Sequence, residues 1–473
     1  MAPPIMELRF LDKDLDRIAN AESAGFYSGR PVRQLGVALV FAALATIAGA
    51  TLTGAGGSAM LAAGVMVGAF FALSIGANDT ANAMGPAVGA GAISMRAGLA
   101  LVAVAEIAGA LTAGARVSAT LTSDILPAAG AGGADAAAVM LAAMIAAAIW
   151  ITLATWAGAP VSTTHAVVGG IAGAGAAQFG LDAPHWGGIA RIAAGWLVSP
   201  VIAGAIGAAL LALLRARIHR APDRISAGVR WLPVLVGAVA AVLGGYALTL
   251  GPVRWWAALP LSALAAVAGW WLARRRLRAE RLAGRRPREV TERLFGPPLI
   301  AAAVLIAFAH GANDVGNVVG PLSVIARQGD GGAEVTPTWL AMGGLGFGLG
   351  AMLFGRRLVA MVGSRITRLN PARALCVALA TALVLLGATW LGLPVSSTHV
   401  ALGGVFGVGF YREWDERRMA AAAAPAARAP LPPEEAHRRR LVRRSAVLRT
   451  LAAWAVTVPS TALLGAGLAW AIA

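Results

Sequence analysis

The chain alternates between long apolar blocks and short polar segments. Blocks such as Leu35–Leu52, Ala136–Trp156, Leu232–Leu250 and Ala374–Leu391 carry no charged residue. Each has about the 20 residues that a helix needs to cross the hydrocarbon core of a bilayer. Because the blocks lack the period-two alternation of a membrane barrel, helices are the structures that satisfy their backbone polar groups in lipid. The pattern predicts an all-α polytopic membrane protein with about eleven full spans.

Composition and charge support this class and set the topology. The 473 residues are 58% hydrophobic and 13% charged, against roughly a quarter charged in soluble proteins. The net charge of +17 comes from Arg between the blocks, in Arg215–Arg230, Arg274–Arg293, Arg356–Arg373 and Arg412–Arg449. By contrast, 117–135, 178–188 and 328–338 contain no Arg or Lys. Positive residues concentrate in cytoplasmic loops, so we expect the first group in the cytoplasm and the second outside. The basic charge then faces lipid headgroups and predicts no nucleic-acid partner.

The N-terminal region predicts how the chain enters the membrane. Residues 1–35 mix charges and lack the short apolar stretch of a cleaved signal peptide. We expect them in the cytoplasm, followed by an extra transmembrane helix at 36–54 that acts as an uncleaved insertion signal. The predicted location is the inner (plasma) membrane, and the abundance of Ala, Gly and Arg favours a bacterial source. The single cysteine, Cys376, cannot form an intrachain disulfide.

Two motifs recur along the chain at one spacing. Gly-Ala-Asn-Asp-x-x-Asn-x-x-Gly-Pro begins at Gly76 and again at Gly311, 235 residues later. Pro-Val-Ser-(Thr/Ser)-Thr-His begins at Pro160 and again at Pro394, 234 residues later. Because two unrelated motifs share nearly the same offset, the chain contains an internal duplication. The predicted parts are a first repeat at 58–214, basic loops with a linking helix pair at 215–296, and a second repeat at 297–472 with an Arg-rich cytoplasmic loop at 412–449.

The charge pattern also predicts that the repeats are inverted. The Arg-rich segments put both ends of the linking helix pair in the cytoplasm. The first repeat therefore ends, and the second begins, on that side. If each repeat crosses five times, counting its Pro-Val-Ser piece as one crossing, the two topologies are opposite. The parity fails if that piece turns back without crossing. Inverted repeats with broken helices are typical of secondary transporters, which bind substrate near the midplane.

The Asn-Asp motifs place polar side chains inside apolar blocks. The two copies supply Asn78, Asp79, Asn82, Asn313, Asp314 and Asn317. Spacings of three and four residues put each set on one helical face. An Asp in a membrane helix faces a partner or an aqueous cavity, and carboxylate and amide oxygens suit Na⁺, H⁺ or a divalent cation. The alternative is that these side chains form hydrogen bonds that hold helices together. Because the motif occurs in two matched copies, cation binding is favoured over this alternative.

The Pro-Val-Ser motifs have the pattern of a helix start. Pro followed by hydroxyl residues is typical of a first turn, whose free backbone N–H groups bind phosphate-like anions. The hydroxyl residues are Ser162, Thr163, Thr164, Ser396, Ser397 and Thr398. The Gly pairs at 169–170 and 403–404 permit tight backbone turns or close helix approach. A single motif of this kind is common in membrane helices and would not by itself indicate an anion site. The prediction of an anion site rests on the duplication of the motif and on its repetition together with the Asn-Asp motifs.

Four more titratable residues lie in apolar blocks. His165 and His399 close the Pro-Val-Ser motifs and are candidate proton carriers, because imidazole titrates near neutrality; a structural hydrogen-bonding role is the alternative. Glu106 has no charged neighbour in its block, which makes it a candidate carrier of the coupling cation or proton. The alternative is a helix-packing role, in which Glu106 forms a hydrogen bond to Ser or Thr of a neighbouring helix. His310 precedes the second Asn-Asp motif and has Ile75 as its counterpart, so its role cannot be symmetric.

These duplicated signatures resemble those of the inorganic phosphate transporter (PiT) family, from about residue 58 to 472. The resemblance implies symport of phosphate with Na⁺ or H⁺, or of a metal–phosphate complex, without a resident cofactor. It implies re-entrant helical hairpins at the Pro-Val-Ser segments, which converge with the Asn-Asp segments on one site. There the six hydroxyl residues, Asn82 and Asn317 would bind phosphate. The coupling cation would be held by Asn78, Asp79, Asn313, Asp314 and Glu106, and no dedicated metal site is expected.

The predicted function is therefore cation-coupled phosphate transport by alternating access, with no enzymatic step. Cations at Asp79 and Asp314 would raise the affinity for phosphate by linkage. A sulfate or thiosulfate transporter of the same fold is the closest alternative, because a tetrahedral oxyanion fits the same helix ends. A passive anion channel and a membrane enzyme or structural subunit are less favoured. Expected partners are phosphate, the coupling cation and the bilayer, and a homodimer is left open.

Overall fold

The computed structural model describes most of the chain. The described residues are 30–52, 58–123, 125–126, 134–157, 161–250, 255–282, 290, 293–326, 336–361, 370–422 and 444–472. Within them the chain forms helices and no strand, and eleven helices are long and apolar enough to cross a bilayer. The predicted all-α membrane architecture is confirmed. Residues 1–29 of the predicted N-terminal segment, Pro160, and residues 423–443 of the predicted Arg-rich loop lie outside the described residues.

The first half contributes six helices, followed by the linking pair. In chain order they are α1 (Arg30–Leu52), α2 (Ala59–Gly89), α3 (Met95–Ser123), α4 (Ala134–Ala157), α5 (Thr163–Phe179), α6 (Trp186–Leu214), α7 (Arg224–Leu250) and α8 (Trp255–Leu282). A π-helical turn, Arg215–His219, extends α6. The extra helix predicted at 36–54 is α1, and it begins earlier, at Arg30.

The second half contributes seven helices. They are α9 (Gly296–Asp314), α10 (Gly316–Ala326), α11 (Pro337–Phe354), α12 (Arg356–Met361), α13 (Pro371–Trp390), α14 (Ser397–Ala422) and α15 (Arg444–Ile472). The Arg-rich segment predicted as a loop at 412–449 is partly helical, because α14 continues to Ala422 and α15 begins at Arg444. The two Asn-Asp motifs also differ: the first lies within continuous α2, whereas the second is interrupted at Val315, directly after Asp314.

Each Pro-Val-Ser motif lies at the turn of a helical hairpin. Helices α4 and α5 pack side by side, as do α13 and α14. Short connections, 158–162 and 391–396, make each pair antiparallel neighbours. Of the hairpin arms, α4 and α13 are among the helices long and apolar enough to cross a bilayer. The count of five crossings in each repeat stays a prediction.

The two halves exchange contacts throughout the core. Helix α5 of the first half packs on α15 of the second, and α14 of the second packs on α6 of the first. These approaches require glycine. A Cβ at Gly173 would lie 2.0 Å from the carbonyl oxygen of Ala462, and one at Gly407 would lie 2.0 Å from that of Gly204. The paired Gly residues also lie at close approaches: a Cβ at Gly169 would lie 2.7 Å from the carbonyl oxygen of Val458, and one at Gly403 would lie 2.2 Å from that of Pro200, each in the opposite half.

Candidate functional site

The two Asn-Asp motifs meet inside the molecule around His310. Its Nδ1 lies 2.9 Å from Oε1 of Glu106, and its Nε2 lies 3.2 Å from Oδ2 of Asp79 and 2.8 Å from Oδ2 of Asp314. None of the four residues, called here the His310 cluster, is more than 2% exposed. Glu106 is therefore not the unpaired carboxylate that the sequence suggested. Its partner lies 204 residues further along the chain.

Backbone contact between α3 and α9 brings these side chains together. A Cβ at Gly311 would lie 2.1 Å from the carbonyl oxygen of Glu106, and one at Gly109 would lie 2.0 Å from that of Phe308. Because neither position has a side chain, the two helices approach closely enough for Glu106 to reach the ring of His310. The glycine of the second Asn-Asp motif thus has a packing role in the site.

The His310 cluster contains three carboxyl groups and one imidazole. If His310 donates from both ring nitrogens to ionised carboxylates, three carboxylates face one imidazolium, which leaves an excess of two negative charges. Buried charge of this kind is costly unless it is neutralised. Among the described residues, Oε2 of Glu106 and Oδ1 of Asp314 have no hydrogen-bond partner. Ligand atoms of Asp79, His310 and Asp314 all lie within 4.8 Å of one another. The cluster can therefore hold a small cation or additional protons.

The tips of the two hairpins are capped helix N-termini. The Oγ of Ser162 accepts a hydrogen bond from the backbone N of His165 at 3.1 Å, and Ser396 accepts one from His399 at 3.3 Å. The predicted helix starts are confirmed. The tips also meet, because Oγ1 of Thr164 donates to the carbonyl oxygen of Val395 at 3.3 Å. The remaining first-turn hydroxyl residues, Thr163, Ser397 and Thr398, are buried. Two partially positive helix ends are thus held close together.

The second hairpin contacts the His310 cluster directly. The Oγ of Ser397 donates to Oδ2 of Asp314 at 3.3 Å, and Nδ2 of Asn82 donates to Oγ1 of Thr398 at 3.2 Å. Asn317 is buried, and its Nδ2 has no partner among the described residues. A buried amide donor without a partner suits an anion. The first hairpin differs, since no hydrogen bond within the described part of the chain joins its tip hydroxyls to the His310 cluster.

Asn78 and Asn313 bind the ends of the hairpin arms. Nδ2 of Asn78 donates to Oγ1 of Thr155 at 2.7 Å, and Nδ2 of Asn313 donates to Oγ1 of Thr389 at 3.0 Å. Asn313 also donates to the carbonyl oxygen of Leu393 and accepts from the backbone N of residue 395. The two threonines lie outside both motifs, although their offset of 234 matches that of the Pro-Val-Ser motifs. The role of both Asn residues as cation ligands stays a prediction.

His165 and His399 face each other behind the tips. Their ring centroids lie 4.4 Å apart, edge to face, and each ring packs against a tryptophan, Trp196 at 3.8 Å and Trp454 at 3.3 Å. None of the four imidazole nitrogens has a hydrogen-bond partner among the described residues. Their role as proton carriers stays a prediction.

Comparison with known proteins places this arrangement in a family. The sequence matches the "Phosphate transporter family" over residues 75–465, a range that contains both copies of both motifs. The chain belongs to the phosphate transporter family. The predicted resemblance is confirmed.

Individual members of the family agree with this assignment. A candidate phosphate permease of Helicobacter pylori is 38% identical over 362 residues, covering 74% of this chain and 68% of the relative. The "Inorganic phosphate transporter 2-1, chloroplastic" of Arabidopsis thaliana is 30% identical over 508 residues, covering 97% and 82%. A solved structure titled "The sodium-dependent phosphate transporter" has a TM-score of 0.78 at 28% identity and covers 88% of this chain and 99% of its own. The family fold of inverted repeats and hairpins is thereby confirmed for this chain.

Proposed function

We propose that this protein is a secondary active transporter that moves inorganic phosphate together with a cation, H⁺ or Na⁺. Phosphate binds at the hairpin tips, and the cation binds at the His310 cluster. The observation that carries the proposal is the contact between the two parts. Ser397 joins a helix N-terminus, which attracts anions, to Asp314, one of the three carboxyl groups gathered around His310.

The anion part uses helix ends instead of Lys or Arg. The first turns of α5 and α14 supply backbone N–H groups, and six hydroxyl residues with Asn82 and Asn317 supply side-chain donors. The hydroxyl residues are Ser162, Thr163, Thr164, Ser396, Ser397 and Thr398. The orphaned amide of Asn317 supports this assignment, because an anion would supply the missing acceptor. A neutral donor set also allows release, which a transport site needs.

The cation part explains coupling between the two ligands. Without a cation, phosphate would bind beside carboxylates of the same sign. A cation at Asp79, Asp314 and Glu106 removes that repulsion, so each ligand raises the affinity for the other by the same factor. His310 supports H⁺ as the coupling ion, since its ring can gain or lose a proton within the cluster. A relative named as sodium-dependent supports Na⁺.

Alternating access by relative movement of inverted repeats is the proposed transport cycle. Multi-pass insertion follows from the eleven apolar helices, and we propose the bacterial inner membrane as the location, although one relative is chloroplastic. The proposal requires no covalent step and therefore no enzymatic residue. A homodimer stays a prediction.

Uptake of radiolabelled phosphate into reconstituted vesicles tests the proposal. We expect accumulation against a gradient, driven by an imposed Na⁺ or pH gradient, with Mg²⁺ varied separately to detect a metal–phosphate substrate. Asp79→Asn and Asp314→Asn should abolish the dependence on the driving ion. Asp182→Asn, which removes an exposed carboxylate between α5 and α6, is the matched control and should transport normally. Coupled uptake that survives both cluster variants would show that the cation site is wrongly placed.

A further inference from the structure

A basic cleft lies where three helices meet, apart from the site described above. The end of α6, the start of α13 and the last turns of α14 enclose a cavity of about 230 Å³. Its charged lining consists of Arg215, Arg373, Arg412 and Glu416, with His219 and Asn370 beside them. At roughly 30 Å³ of liquid volume per water molecule, the cavity has room for a phosphate or diphosphate group. Three guanidinium groups face one carboxylate.

The neighbouring carboxylates do not neutralise this charge. Asp415 forms ion pairs with both Arg215 and Arg220. The NH2 of Arg220 lies 2.8 Å from Oδ1 of Asp415. Burial acts to raise the pKa of Asp415, but hydrogen bonds from both Arg side chains outweigh it and hold the pKa below its usual range. Glu416 lies 2.6 Å from Nε of Arg412 and 3.9 Å from NH2 of Arg215. Both carboxylates are therefore already shared among three Arg.

Arg373 is the cation without a carboxylate partner. Its Nε donates to Oδ1 of Asn370 at 3.0 Å, and it makes no ion pair with any described residue. Asn370 also caps α13 by accepting from the backbone N of Arg373. The positive end of this 20-residue helix therefore opens into the cleft beside the unpaired guanidinium. Arg forks match the oxygens of a phosphate group bidentately.

We propose that this cleft binds a phosphate-bearing anion, either a free phosphate or diphosphate or the headgroup of an anionic lipid. It is a separate site, because Arg412 lies 15 residues after Ser397 in α14, roughly 22 Å along the helix axis. Parts of the predicted cytoplasmic segments Arg215–Arg230, Arg356–Arg373 and Arg412–Arg449 all reach the cleft. The ligand would thus be met on the cytoplasmic side. The inference does not depend on what the molecule transports.

Titration of the purified full-length protein with inorganic pyrophosphate, followed by calorimetry at low salt, tests the proposal. We expect Arg373→Gln to weaken binding by about tenfold, since it removes the unpaired guanidinium. Glu416→Gln should act in the opposite direction and tighten binding, because it frees Arg412 and Arg215. Arg276→Gln, at an exposed position on α8 outside the cleft, makes the same charge change as the first variant and should leave binding unchanged.

Two further arms separate the sites and the sources of the ligand. In an Asn317→Ala/Ser397→Ala background, which removes two donors of the proposed phosphate site, binding at the cleft should persist, which distinguishes it from the transport site. In nanodiscs, binding that survives with phosphatidylcholine alone but is lost when phosphatidylglycerol is included identifies a lipid headgroup as the occupant. Equal binding in both identifies the soluble anion. If Arg373→Gln and Arg276→Gln bind pyrophosphate equally and Glu416→Gln gives no gain, the cleft is not an anion site.

Discussion

At the residue scale, His310 joins the two halves of the protein. Its ring contacts Glu106 and Asp79 from the first half and Asp314 from the second. Once protonated, it is the one positively charged group that these three carboxyl groups have within the His310 cluster. Neutralisation of the buried site therefore depends on this side chain until a cation or proton arrives.

The variant His310→Gln tests this dependence. Removing one partner of a buried ionic network leaves uncompensated charge, so we expect a loss of about 3 kcal/mol in the free energy of unfolding. Phosphate uptake should also lose its dependence on the coupling ion. Thermal unfolding in detergent and vesicle uptake are the measurements. His185→Gln changes an exposed residue whose side chain makes no capping hydrogen bond and should have little effect. Equal unfolding temperatures for the two variants would contradict the bridging role.

The sequence motifs predict most residues of the candidate site but not how they pair. The duplicated motifs identified Asp79 and Asp314 because repetition separates function from chance. The pairing of Glu106 with His310 had no local signal, since the two residues are 204 positions apart and lie outside the symmetric part of the repeat. Thr155 and Thr389 were missed for a different reason: a threonine in an apolar helix is common, and only its hydrogen bond to Asn makes it informative.

At the element scale, helix contacts depend on glycines that leave room for a backbone. Helix α14 touches α6 at Gly407, where a methyl group would lie 2.0 Å from the carbonyl oxygen of Gly204. Rigid backbone cannot yield as a flexible side chain can. The position of the second hairpin, and of the hydroxyl residues at its tip, is therefore set by this contact.

Gly407→Ala should separate α14 from α6. We expect overpacking to lower the free energy of unfolding by about 1–3 kcal/mol and to reduce phosphate affinity by shifting the hairpin tip. Gly387→Ala is the control, because nothing lies within 4 Å of its added Cβ in α13. There alanine should stabilise by up to ~1 kcal/mol through helix propensity. Thermal unfolding of the two variants compares the effects directly, and shifts of the same sign would contradict the packing argument.

At the scale of the whole molecule, the repeats are interleaved instead of lying as two separate bundles. The charge pattern predicted their inversion, and the motif offset predicted their boundaries. Neither could predict that α5 packs on α15 and α14 on α6. Which apolar helices pack together depends on how well their surfaces fit in three dimensions. That fit is set jointly by many small residues such as Gly and Ala, so no single position predicts it. Hydropathy likewise does not distinguish a hairpin arm from a span, so the count of five crossings in each repeat stays a prediction.

The topology can be tested with single cysteines. Cys376 is 1% exposed and should not react, so the native chain is a silent background. Asp182→Cys, in a segment predicted to lie outside, should react with a membrane-impermeant maleimide in right-side-out vesicles. Arg276→Cys, predicted to be cytoplasmic, should react only after the vesicles are opened. Labelling of both positions from the same side would contradict the predicted orientation.

The exchange of partners between the halves constrains how this sequence can change over time. A larger residue at 173 or 407 would meet the backbone of Ala462 or Gly204, which no exchange of side chains at those positions can remove. Each duplicated segment is thus complementary in shape to a distant stretch of the other copy. Glycine retained at 173 and 407 while the neighbouring positions vary is the expected trace of that history.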